Sequence, residues 1–65
     1  MPSNPREIAK KVYDTFNDES QPVTVTGPAA AKILEGVPEA QLPAVRCWME
    51  EDYQAGFLID FLMGR

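Results

Sequence analysis

A single cysteine, Cys47, and no histidine leave this 65-residue chain without the usual staples of a small protein. One thiol forms no internal disulfide, and without histidine it builds no zinc site. The acidic "NDES" at 17–20 is too short for a calcium loop and lacks that loop's glycine and distal glutamate. A chain of this length buries only roughly 60% of the surface its unfolded form exposes. Its core must be efficient, or completed by a second copy. No cofactor is expected, and residues 1–65 read as a single small helical domain.

The stretch "SNPREIAKKVYDTF" carries a helix start. Asn4 can cap, Pro5 suits the first helical position, and Glu7 completes a capping-box spacing. Ile8, Ala9, Val12, Tyr13 and Phe16 then share an arc of about 140° opposite Lys10, Lys11 and Asp14. A helix is predicted over 5–17. "PVTVT" alternates in the manner of a strand, so 22–26 is expected to run extended. Val23 and Val25 would then anchor it to the core, or pair it with a second copy. A second helix, 28–35, follows with Pro28 in its first turn, Gly36 at its end, and Ala29, Ala30, Ile33 and Leu34 on one face.

Pro38 should begin a short turn, and Pro43 should open a long last helix, 43–63, bent or interrupted near 54–56 at Gly56. Leu42, Val45, Trp48, Met49 and Tyr53 line one side of it, continued by Ile59 and Met63. Asp52 interrupts the edge of that stripe. After Gly56 a second side turns apolar: Phe57, Leu58, Phe61 and Leu62, relieved only by Asp60. Three readings remain open for that side. The first helix covers it, it forms the seam of a homodimer, or it docks on another protein. The fold expected is therefore all-α: three helices, one short extended segment, and a long, bent C-terminal helix.

Catalytic chemistry has little to work with. There is no histidine, no nucleophile beside a plausible base, and no glycine-rich phosphate loop. Glu50, Glu51 and Asp52 are consecutive, so a helix fans them about 100° apart instead of converging them. Cys47 reads as half-buried packing and Trp48 as core. The net charge of -4 lies wholly in residues 33–65, where six carboxylates face only Arg46 and Arg65. That balance repels phosphate backbones and favours basic partners. With no secretory core, no apolar run long enough for a bilayer and a lone thiol, a cytoplasmic setting is expected.

One stretch, "VTVTGPAAAKILEGVPEAQLPAVRCWM", resembles the helix-turn-helix opening of small excisionase-like bacterial and phage regulators. Ala30, Ala31, Leu34, Gly36, Val37, Leu42, Val45 and Trp48 fall near that pattern. The resemblance implies a small regulator that binds DNA as a dimer. The sequence departs from it at Glu35, inserted before the turn glycine, and at Pro43, within the would-be recognition helix. Glu39 and Gln41 stand where phosphate-contacting residues would serve.

Taken from the residues themselves, the expectation is a small acidic, non-enzymatic interaction module of the adaptor or inhibitor type. Its partner would be a larger, basic, nucleic-acid-handling protein. Phe57, Leu58, Phe61 and Leu62 would form the apolar seam of a homodimer, and Glu50, Glu51 and Asp52 the acidic contact. Stand-alone acidic domains of this kind are associated with phage and mobile elements.

Overall fold

Asn4 starts the first helix: its Oδ1 accepts the Glu7 N–H at 2.8 Å, and Pro5 occupies the first turn where no donor is needed. The computed structural model describes residues 4–64. Helix α1, Pro5–Phe16, buries Ala9 and Val12 completely and half-buries Ile8, Tyr13 and Phe16, the predicted arc. It closes where the Asn17 N–H donates to Tyr13 O at 2.8 Å. In the loop, Asp18 Oδ1 accepts from the Ser20 N–H and hydroxyl at 3.0 and 2.6 Å. Those two donors, the hydroxyl foremost, hold the Asp18 carboxyl below the usual range.

The expected extended segment at 22–26 is instead helical. Helix α2 runs Val23–Glu35, and no strand occurs among the described residues. The Val25 and Thr26 N–H groups both turn back to Pro22 O, at 2.9 and 3.1 Å, closing the first turn before Pro28 is reached. Pro28 removes one later hydrogen bond but leaves the helix intact, and Gly27 lacks the Cβ that would crowd the proline ring. Alternation misled because the stretch faces water: Val23 and Val25 are 63% and 49% exposed, so they anchor nothing within the fold. Thr26 carries the buried contact in their place. Among the described residues its Oγ1 has no hydrogen-bond partner. Ala30 and Leu34 are fully buried as expected, whereas Ala29 is exposed.

Beyond Gly36, Pro38 leads into a single 3-10 turn, Glu39–Gln41, and α3 spans Leu42–Tyr53. The expected bend or interruption near 54–56 takes the form of a full break. Gln54 adopts the left-handed conformation, φ 55, its N–H bonding Glu50 O at 2.9 Å while the Ala55 N–H reaches Met49 O at 3.1 Å. That paired pattern ends a helix outright. The chain restarts as α4, Phe57–Met63. Gly56 is not the pivot, since its φ of -57 is ordinary; it is the point of close approach. A Cβ there would sit 3.2 Å from Glu50 Cβ and 3.4 Å from Arg46 O. The break shifts the helical register, which makes Leu58 a core residue beside Ile59.

α1 packs against both α2 and α3, and α4 folds back chiefly onto α2. The core joins Ala9, Val12, Ala30, Leu34, Leu42, Val45, Met49, Ala55, Leu58 and Ile59. The radius of gyration, 10.8 Å, is close to the roughly 10.7 Å expected for a compact chain of this length. Gln54→Gly is expected to raise stability by about 0.5–1 kcal/mol, because glycine meets no Cβ penalty at positive φ. Gln54→Val should lower it, and urea titration followed by circular dichroism checks both signs.

Candidate functional site

α4 reads FLIDFLM, and its seven residues divide sharply between inside and outside. Leu58 and Ile59 enter the core, Leu62 and Met63 pack against it, and Phe57 and Phe61 point to water at 65% and 68% exposure. The two rings stand four residues apart, hence on one line of the helix. The expected seam is thus split: Phe57 and Phe61 are available to a partner, Leu58 is not, and Leu62 is half-available. α2 rather than α1 supplies the cover, with Phe16 of α1 reaching only the margin.

Beside Phe61 lies an apolar groove of about 340 Å³ between the end of α1, the start of α2 and α4. Val23, Phe16, Phe61 and Leu62 wall it, while Gly27, Pro28 and Ala31 keep its floor low. No charged side chain lines it. Beyond its chain neighbours and its own helix backbone, a Cβ on Gly27 would meet nothing within 4 Å, so the slot has room for an incoming side chain. Val23 enters this site because α2 begins at residue 23. The only signal for that in the sequence was Pro22 directly before it.

The acidic residues divide as well. Glu50 Oε2 accepts the Gly56 N–H at 3.0 Å, so this carboxylate caps the start of α4 from α3. Asp52, which interrupted the predicted stripe, pairs with Arg6 through two hydrogen bonds of 3.0 and 3.2 Å. That pairing, the hydrogen bond first, raises the Arg6 pKa further. The same guanidinium lies 4.7 Å from the Trp48 ring centroid, clamping α1 to α3 over a half-buried indole. Arg46 and Asp60 meet at 2.8 Å across the α3–α4 junction. All three members of the acidic trio are exposed, and Glu51 alone of them has no such tie among the described residues.

Cys47 is exposed, contrary to the half-buried position expected, because the α3 face it shares with Glu51 has no helix over it. The other outward residues of α3 include Arg46, Glu50 and Glu51, whose single cation is already paired. Among the described residues, no three Asp, Glu or Cys side chains gather where a metal ion could be held. No helix among them is long and apolar enough to cross a membrane. Neither a family model, nor a curated protein, nor a solved structure matches the chain.

Tyr13 and Tyr53 stack at 4.2 Å with their rings 4° from parallel, fastening α1 to the end of α3. Burial, then the charges of Asp14 and Asp52, raise the Tyr53 pKa above its ordinary value of 10.0. The neutral phenol is therefore favoured in the folded state, and its contribution is complete below the unfolded pKa. Stability should fall as the pH climbs from about 10 through the folded pKa. Tyr53→Phe should flatten that decline, as read by thermal melts between neutral and strongly alkaline buffer.

Proposed function

We propose that this protein is a small, non-enzymatic interaction module that docks on a larger protein through the outer face of α4 and the start of α2. The observation that carries the reading is the pair Phe57 and Phe61, 65% and 68% exposed on a domain whose core is otherwise closed. Such rings beside an uncharged slot are characteristic of contact sites, where a few aromatic anchors supply most of the energy. Two rings fill only part of the roughly 800 Å² per partner that a stable interface buries, so polar contacts around them complete it. The net charge of -4 and the exposed Glu51 suit a partner with a basic surface. Adaptor and inhibitor both fit this description.

Phe57→Asp and Phe61→Asp test the reading, because both side chains are mostly solvated and their loss should leave the melting temperature within a few degrees. A basic partner captured by the native protein, and lost with either variant, is the expected result. Retention of the partner by both variants, or their unfolding, would remove the docking role. Light scattering should find a monomer. A dimer that Phe61→Asp dissolves would instead assign the face to a second copy.

The helix-turn-helix alternative depends on α2 and α3 carrying DNA, yet the one cation on α3 is tied to Asp60. A duplex-retardation assay at low salt should show no shift; a shift that vanishes steeply with added salt would restore that alternative.

A further inference from the structure

Two lysines of this acidic protein flank one groove, on a different side of α2 from the phenylalanines. Among the described residues both arginines are paired, Arg6 with Asp52 and Arg46 with Asp60. Lys10, Lys11 and Lys32 are exposed, and among the described residues they make no ion pair. Two of these three lysines, Lys11 from α1 and Lys32 from the end of α2, line a groove of about 540 Å³. Between them lie Ile8, Ile33 and Val37, each only partly buried against the core, with Pro38, Gly36 and Gln41 closing the lower end. Glu7 is the one carboxylate at its rim.

We infer that this groove is a second docking site, and that its occupant is an acidic peptide segment of a protein partner. An apolar side chain of that segment would rest on Ile8, Ile33 and Val37, with its carboxylates at Lys11 and Lys32. The apolar floor accounts for an amphipathic guest, and the flanking ammonium groups select negative charge. Nucleic acid fits less well: two lysines beside Glu7 neutralise too few phosphates, and the floor presents aliphatic side chains with no ring for a base to stack on. The inference goes beyond the α4 docking role and stands without it. If both hold, the module bridges an acidic segment and a basic surface from separate faces, which favours adaptor over inhibitor.

The experiment uses the full chain and a short helix-forming probe peptide with leucine and glutamate on one face. Its control replaces every glutamate with lysine. Binding is followed by methyl NMR shifts and by fluorescence anisotropy. The acidic probe should move the Ile8, Ile33 and Val37 methyls, weaken with added salt, and bind the Lys11→Glu, Lys32→Glu double variant about tenfold less tightly. Both lysines are exposed, so that variant should melt like the parent. Phe61→Asp should leave this binding unchanged, which separates its failure from failure of the α4 site. Equal binding of the lysine control, shifts spread away from the groove, or indifference to the double charge reversal would overturn the inference. So would tighter, lysine-dependent binding of a single-stranded oligonucleotide, or a self-association that the reversal abolishes.

Discussion

The break between α3 and α4 governs what this protein shows to its surroundings. A continuous helix through residue 63 would have carried its last two turns away from α2. The left-handed Gln54 ends α3, and the Glu50 carboxylate on the Gly56 N–H starts α4 in a new direction. The Arg46–Asp60 pair then braces the corner from outside. With α4 turned back, Leu58 and Ile59 complete the core and Phe57 and Phe61 are left facing water. Stability and exposure thus come from the same corner. A substitution that straightened it would bury neither set.

Arg6 is the counterpart of that corner at the other end of the domain. One guanidinium grips Asp52 and covers Trp48, and the Tyr13–Tyr53 stack lies along the same α1–α3 seam. The core itself is aliphatic: no aromatic side chain belongs to its fully buried set. The aromatic residues work at seams and surfaces, where they can bridge packing and solvent. In a domain this small, edge interactions of about 0.5–1.5 kcal/mol matter, because total stability is only about 3–10 kcal/mol.

Charge pairing also sorts the surface into two kinds. Carboxylates that looked like one acidic contact serve different ends, since Glu50 holds a helix start and Asp52 holds Arg6. Glu51 keeps its charge for solvent or a partner. On the other side, the lysines hold no ion pair among the described residues, and two of them flank aliphatic side chains. A net charge of -4 therefore hides one locally basic groove.

The all-helical class, the start of α1 and the short turn after Pro38 were legible in the letters, because caps, prolines and a 3.6-residue period act locally. The apolar character of 57–63 and the presence of an interruption near 54–56 were legible for the same reason. Local pattern could not say that "PVTVT" is helical, since its alternation counts only if one side is buried, and α2 leaves both valines in water. Nor could it say that Gln54 rather than Gly56 takes the left-handed turn. Composition offered Phe57, Leu58, Phe61 and Leu62 as one seam; packing on α2 took Leu58 and left the two rings outside. The sequence by itself determined which segments are helical enough and greasy enough to pack. Only the tertiary structure decided which side of each faces in and which charges are already answered, because both depend on what lies across the gap.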